Sequence, residues 1–195
     1  MSFLQLWRIG YQNPAKFAEK LQEQPAPQWG FDALIIRILL VSLLLYLPLS
    51  CLDRVPPIPS YLTFLSTETY YTALIFLTPI VFILEWLLGG SVIHLLLRFH
   101  NLPSNIDQIL NLTGMASLVA AAVLLLWDWV WLSLDVGNQY WLGISHLLID
   151  SWYLVLLIVG LKKEFDLPFL TGFYLSVASF LVTFPLAVLF MRAPF

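Results

Sequence analysis

The chain has 195 residues, of which 60% are hydrophobic and only 11% are charged, and its formal net charge is −3. Soluble domains are about one quarter charged, so this chain lacks the polar residues needed to cover a water-facing surface. This composition excludes a soluble globular enzyme and a disordered chain. Since no Lys/Arg run is present, no nucleic acid is expected as a partner. An integral membrane protein remains, with membrane lipid as its first partner.

Residues 1–30 precede the first long apolar run and predict a short amphipathic segment on the cytosolic membrane surface. Asn13 followed by Pro14 is typical of a helix start, with an N-cap and a proline at the first helical position. A frayed terminus is the alternative. Apolar residues on one face of such a segment contact lipid or a partner. The residues predicted to do so are Leu6, Trp7, Phe17 and Leu21.

Five apolar runs then follow, each long enough for the roughly 20 residues that a spanning helix needs. Their predicted bounds are 31–52, 70–88, 112–134, 141–161 and 169–191. None shows the alternation typical of a membrane β-barrel. We therefore predict an all-α fold, in which residues 31–195 form an integral membrane bundle of five transmembrane helices after the amphipathic segment.

The second apolar run does not stop at the pair Gly89-Gly90 but continues to Arg98. As one helix, residues 70–98 would be roughly 43 Å long, which exceeds the hydrocarbon core. The helix therefore either projects from the membrane or bends at the glycine pair. In both cases we expect His94 and Arg98 at the membrane surface, facing headgroups or a partner.

The distribution of Lys and Arg predicts the orientation of the bundle, because these residues are enriched in cytoplasmic loops. Arg54 and Arg192 fall on one side of the predicted topology. Six basic residues fall on the other side: Arg8, Lys16, Lys20, Arg98, Lys162 and Lys163. This asymmetry places the N-terminus in the cytoplasm and the C-terminus outside. A prokaryotic plasma membrane is expected because the domain is minimal, although a protein of the Golgi or endoplasmic reticulum would have a similar composition.

Charged residues inside the predicted spans carry the chemical hints, since each costs roughly 2.5–3.5 kcal/mol at a helix centre on insertion scales. Arg37 lies in the first span and Glu85 near the end of the second, both in the inner leaflet. An ion pair between them would join these two helices. Alternatively, Arg37 reaches the headgroups and Glu85 reaches water.

A second polar group is predicted in the outer half of the membrane. Asp128 in the third span and His146 in the fourth lie at similar depth, on helices joined by a short turn. Asp150 follows His146 by four residues and shares its helix face. The three side chains could form a hydrogen-bonded clasp between helices, a proton relay or a metal site. The clasp is favoured, and the lack of a second histidine or a cysteine nearby argues against a metal.

No catalytic motif is present: the chain has no Gly-x-Ser-x-Gly, His-Glu-x-x-His or phosphate-loop sequence. The single cysteine, Cys51, excludes a disulfide framework and a cysteine-based metal centre. We therefore expect no enzyme and no cofactor. Two functions remain open. One is a subunit or accessory factor that binds membrane proteins or organises lipid, and the other is a solute or ion pathway that uses the buried carboxylates and His146.

Several motifs along the chain point to one family. They are an Asn-Pro-x-x-Phe start at Asn13, a glycine pair with an amphipathic extension at 89–94, a polar lead into a small-residue span at 108–117, and the connection at 162–168. Together with five spans, these motifs resemble the Yip domain family, membrane proteins named for eukaryotic members that interact with Ypt/Rab GTPases. The resemblance covers nearly the whole chain from about residue 10.

The resemblance implies a non-enzymatic membrane protein that binds other membrane proteins, a second copy of itself or lipid. It supplies no catalytic residues. Eukaryotic relatives engage small GTPases through a long cytosolic domain, in whose place this chain has residues 1–30. Small GTPase binding is therefore not carried over, and the compact form is similar to the prokaryotic branch of the family.

Overall fold

The computed structural model of the protein describes residues 1–56, 61–62, 64–134 and 139–190. Met191, the predicted end of the fifth span, and Arg192 lie outside the described residues. Every regular element in the described ranges is helical. In chain order these are α1 (Phe3–Gln12), α2 (Pro14–Gln22), α3 (Gln28–Val41), a π-helical turn (Ser42–Tyr46), α4 (Leu47–Cys51), α5 (Tyr70–Phe99), α6 (Ile106–Leu134), α7 (Gln139–Phe165) and α8 (Phe169–Phe190).

Five helical segments are long and apolar enough to cross a membrane, which confirms the predicted all-α membrane bundle. They are Gln28–Cys51, Tyr70–Phe99, Ile106–Leu134, Trp141–Phe165 and Phe169–Phe190. Successive spans alternate in direction. The two short helices α1 and α2 precede the first span. The protein is thus a five-span bundle with two short helices at its N-terminus.

Two spans begin or extend differently from the hydropathy pattern. The third was expected from residue 112, but α6 begins at Ile106 because Asn105 caps it, its Oδ1 accepting from the backbone N–H groups of Asp107 at 3.0 Å and Gln108 at 3.4 Å. An N-cap allows a helix to begin in a polar turn, several residues before the apolar run by which hydropathy locates the helix. Similarly, α5 continues as one helix of 30 residues through the glycine pair, so it is roughly 45 Å long.

The first span contains a proline whose missing hydrogen bond is replaced by a neighbouring helix. Pro48 has no N–H to donate to the carbonyl of Leu44, four residues earlier, and the helix widens into the π-helical turn there. The indole Nε1 of Trp129 in α6 donates to the Leu44 carbonyl oxygen at 2.8 Å. A backbone acceptor that lipid could not satisfy is therefore satisfied by α6.

The first span and α6 run in the same direction and cross with their backbones in close contact. At this crossing Gly30 faces Gly114, and a Cβ atom built on Gly114 would lie 2.7 Å from the Cα of Gly30. The backbone N–H of Gly30 donates to the Oδ1 of Asn111 at 2.6 Å. Small residues let two backbones approach and hydrogen-bond in this way. We call this contact the α3–α6 crossing.

The helices are arranged around α6, which packs on α3, α5 and α7. Among the described residues, α8 packs on α5 and α7 but makes no substantial contact with α6. The helices α1 and α2 pack across the ends of α6 and α7, and we call this end of the bundle the capped end. The other end, where α5 and α7 begin, is the opposite end. Because α6 and α8 stand apart, a space remains between them.

Candidate functional site

The predicted ion pair between the first two spans is present. The Nη2 of Arg37 in α3 lies 3.1 Å from the Oε2 of Glu85 in α5, and the guanidinium carbon lies 3.7 Å from the centre of the Phe82 ring. The Glu85 side chain is only 10% exposed. The Nε of Arg37 is buried without a hydrogen-bond partner among the described residues. Ion pairing and the aromatic face thus hold one guanidinium near the middle of the bundle.

The predicted contact between Asp128 and His146 is also present, because α6 and α7 are adjacent antiparallel helices. The Nε2 of His146 lies 2.8 Å from the Oδ1 of Asp128, which is buried. Asp150 lies one turn further along α7 but makes no hydrogen bond or ion pair with the described residues. The pair Asp128–His146 therefore joins two helices, and Asp150 is left outside it.

These polar residues surround one cavity of about 370 Å³ near the middle of the bundle. Arg37, Glu85, His146 and Asp150 all line it, while Asp128 lies behind His146. The two predicted polar groups thus remain two separate contacts, Arg37–Glu85 and Asp128–His146, but they border the same cavity. Position along a helix predicts depth only, and the rotation of the helices turns both groups toward the same space.

The remaining lining is largely apolar and aromatic, with a few hydroxyl groups. Sequence reasoning did not single out several lining residues that carry polar atoms, among them Trp86, Tyr153 and Thr183. A signal for Tyr153 was available, since His146, Asp150 and Tyr153 are spaced by four and three residues and so share one helix face. Cavities of a few hundred Å³ with apolar walls and a few polar groups are typical of small-ligand sites.

The cavity opens sideways between α7 and α8. Near the capped end these helices touch, and a Cβ on Gly172 would lie 3.2 Å from the carbonyl oxygen of Ile158. Toward the opposite end each helix packs on a different neighbour. There the Nε1 of Trp127 in α6 donates to the Oγ of Ser145 in α7 at 2.7 Å, and the hydroxyl of Tyr70 in α5 donates to the carbonyl of residue 190 in α8 at 3.1 Å.

Exposure of the lining residues agrees with this lateral opening. Gly143 on α7 is exposed and has no heavy atom within 4 Å of a built Cβ. Leu147 on α7 and the α8 residues Phe184 and Val188 line the cavity and are exposed as well. We call this gap the α7–α8 opening. It faces the region that the acyl chains of a bilayer would occupy.

The expected lipid or partner surface at the capped end needs correction for three residues. Leu6, Phe17 and Leu21 are buried in the main core, where they pack with residues of α6 and α7. The amphipathic face of α1 and α2 therefore docks on the bundle itself, because the bundle end offers apolar surface just as a bilayer does. Trp7 is half-buried against the same core.

Two other residues of that expected surface lie on α5 near the capped end. The Nδ1 of His94 lies 2.7 Å from the Oγ of Ser104, so this half-buried ring holds the connection to α6. Arg98 is exposed. Outside the spans, the Nζ of Lys20 donates to the Oε1 of Glu23 at 2.6 Å, and this contact raises the pKa of Lys20. Exposed charge thus covers the outer surface of the capped end.

In the part of the chain that the structure describes, no three His, Cys, Asp or Glu side chains are grouped so that they could hold a metal ion. The polar lining of the cavity is a set of charged and hydrogen-bonding groups beside an opening between two candidate membrane spans.

In a comparison with protein families, the model of the Yip1 domain matches residues 11–191. The chain belongs to the Yip1 domain family. The Yip1 domain here begins within α1 and extends beyond the last described residue of α8, so it contains the α3–α6 crossing, the cavity and the α7–α8 opening. No curated protein sequence and no solved structure matches the chain.

Proposed function

We propose that this Yip1 domain protein is a non-enzymatic membrane protein that binds lipid in the cavity behind the α7–α8 opening and so organises the surrounding bilayer. One observation carries the proposal: a cavity with charged groups at its floor opens toward the acyl-chain region between two spans. A charged floor would be costly against lipid tails alone. A lipid could place its polar headgroup against the charged side chains of the cavity while its acyl chains stay in the bilayer.

In the part of the chain that the structure describes, no hydroxyl group is placed for activation by His146, which supports a binding role over an enzymatic one. The Nε2 of His146 contacts Asp128, and no hydroxyl within the described ranges bonds to this ring. The nearby Ser117 instead donates to the carbonyl oxygen of Gly114 at 2.8 Å. Nucleophilic catalysis needs a hydroxyl or thiol within reach of a base.

The distribution of charge supports a cytoplasmic location for the capped end. Exposed basic side chains on α1 and α2, together with Arg98 and the two lysines at the end of α7, lie at this end. Arg54 lies at the opposite end. By the positive-inside rule we place the capped end in the cytoplasm and the C-terminus outside.

Lipid retention tests the proposed function. The full chain would be purified from native membranes in mild detergent, and bound lipid and protein would be identified by mass spectrometry. We expect lipid at close to one molecule per chain. Gly143→Leu should lower this amount severalfold, since its side chain would fill the α7–α8 opening. Leu148→Phe, on an exposed position of α7 outside the cavity lining, is the matched control.

Loss of the lipid after purification, together with a stoichiometric protein partner, would contradict the lipid role. That outcome would favour a subunit or accessory role, with another membrane protein or a second copy of the chain covering the opening.

A solute or ion pathway is the second candidate, favoured because Glu85, His146 and Asp150 line a single cavity. Polar groups along one cavity in the membrane are the usual elements of such pathways. In proteoliposomes the wild-type chain would then conduct an ion or proton, and Asp150→Asn would abolish the flux. Absence of flux in the wild type would remove this candidate.

A further inference from the structure

The charges around the cavity do not balance. One guanidinium, Arg37, faces Glu85 and Asp150, with Asp128 directly behind His146. Even with His146 protonated, three carboxylates exceed the positive groups by one. Two of the carboxylates have direct partners: Glu85 contacts Arg37, and Asp128 contacts His146. The carboxylate that forms no hydrogen bond or ion pair with the described residues is that of Asp150, and Arg37, whose charge acts on it from a distance, is already paired with Glu85.

An unpaired carboxylate in a membrane interior is stable only when it gains a cation or a proton. A metal ion is disfavoured, because Ca²⁺ and Mg²⁺ require six or more oxygen ligands or several retained waters, and the described residues hold no group of three acidic or histidine side chains suited to a metal. An organic ammonium group needs only one carboxylate and a nearby aromatic surface. Trp86, Tyr153 and Phe180 supply aromatic surface in the same cavity.

The route into the cavity indicates where the ammonium group comes from. The lining follows α7 from Asp150 to Leu142, a distance of roughly 12 Å toward the opposite end. Leu142 is close to the first residue of α7, so the cavity extends to the end of this candidate span, where headgroups are expected. Because the α7–α8 opening continues beside this path, a headgroup can enter while its acyl chains remain in the bilayer.

We propose that the cavity binds the primary ammonium group of a zwitterionic phospholipid headgroup, with the Asp150 carboxylate as its acceptor and counter-ion. This assignment rests on the proposed lipid-binding function and names the chemical class of its ligand. A primary ammonium donates three hydrogen bonds, and both oxygens of Asp150 accept none from the described residues. A quaternary ammonium has the same charge but no N–H to donate.

Native mass spectrometry of the full chain in mild detergent tests this assignment. The protein would be titrated with phosphatidylethanolamine and with phosphatidylcholine of identical acyl chains, which differ only in the methylation of the ammonium group. We expect the wild type to prefer phosphatidylethanolamine about tenfold, the ratio given by 1.4 kcal/mol of differential binding. Asp150→Asn should reduce that ratio to about one. Asp150→Glu should keep most of it.

The control variant is Glu68→Gln, which removes one negative charge from the exposed loop before α5, outside the cavity. It should keep the tenfold preference. Binding of both lipids without preference by the wild type would overturn the ammonium assignment and leave the lipid-binding function intact. Binding of neither lipid would overturn both. A preference that survives in Asp150→Asn, checked for a monodisperse fold, would overturn the role of Asp150.

Discussion

At the α3–α6 crossing two helices touch backbone to backbone, whereas α7 and α8 touch only near the capped end and separate toward the opposite end beside a cavity. The crossing uses Gly30, Gly114 and Asn111, and no space remains there for even one added methyl group. At the α7–α8 opening, a methyl group on Gly143 would meet nothing within 4 Å. The same residue type therefore serves close packing in one region and leaves an open space in the other.

The difference extends to the whole helices. In the most apolar window of each span, 67% of α6 residues are buried within the bundle, but only 17% of α8 residues are. The core thus concentrates around α6 and its contact with the first span. The helix α8 is held mainly by α5, through contacts such as the Oγ of Ser179 donating to the carbonyl oxygen of Gly89 at 3.1 Å. A tightly packed half of the bundle thus supports a more loosely packed half.

The largest effect on stability is expected from breaking the charge pair at the floor of the cavity. Glu85→Leu would leave the Arg37 guanidinium buried beside Phe82 without its counter-ion. Removing one partner of a buried pair costs about 3–5 kcal/mol. Equilibrium unfolding of the purified protein in mixed detergent and SDS, followed by tryptophan fluorescence, would measure this loss.

The double variant Arg37→Leu with Glu85→Leu is the control, since replacing both charges leaves no unpaired group and should recover most of the stability. If the double variant were as unstable as Glu85→Leu, the contribution of the pair would lie in packing rather than in charge. If Glu85→Leu alone were neutral, the open region would tolerate an unpaired charge, and the comparison of the two regions would fail.

The next effect separates the two regions by one matched substitution. Gly114→Ala places a Cβ against the backbone of Gly30, and overpacking of this kind costs about 1–3 kcal/mol. Gly143→Ala meets open space and should be neutral or stabilising by up to about 1 kcal/mol, because alanine is the better helix former. The same SDS titration measures both. Equal losses in the two variants would contradict the contrast between crossing and opening.

The sequence predicts the parts of this architecture that depend on one helix at a time. Hydropathy locates five spans, and the pair Asn13-Pro14 marks the start of α2, where the Oδ1 of Asn13 accepts from the N–H of Lys16. The Arg37–Glu85 and Asp128–His146 contacts were also predictable, since membrane charges need partners at the same depth.

Features that depend on helix rotation and neighbours could not be predicted. The apolar face of α1 and α2 fits a bilayer and a bundle end equally well, so the burial of Phe17 was not foreseen. The meeting of Gly30 with Gly114 joins residues far apart in sequence across the intervening helix α5. The cavity arises because α8 packs on α5 and not on α6. Residue spacing along the sequence does not predict this choice of neighbour.

The smallest predicted effect concerns the contact that holds α8 to α5. Ser179→Ala removes the hydrogen bond to the Gly89 carbonyl oxygen, and interhelical hydrogen bonds in membranes contribute about 0.6 kcal/mol on average. We expect a loss of this size in the SDS titration. Ser151→Ala is the matched control, because the exposed Ser151 bonds only within its own helix, to the carbonyl of Leu148. If Ser179→Ala instead cost as much as Gly114→Ala, α8 would be fixed as firmly as α6, and the α7–α8 opening would be a rigid slot of constant width.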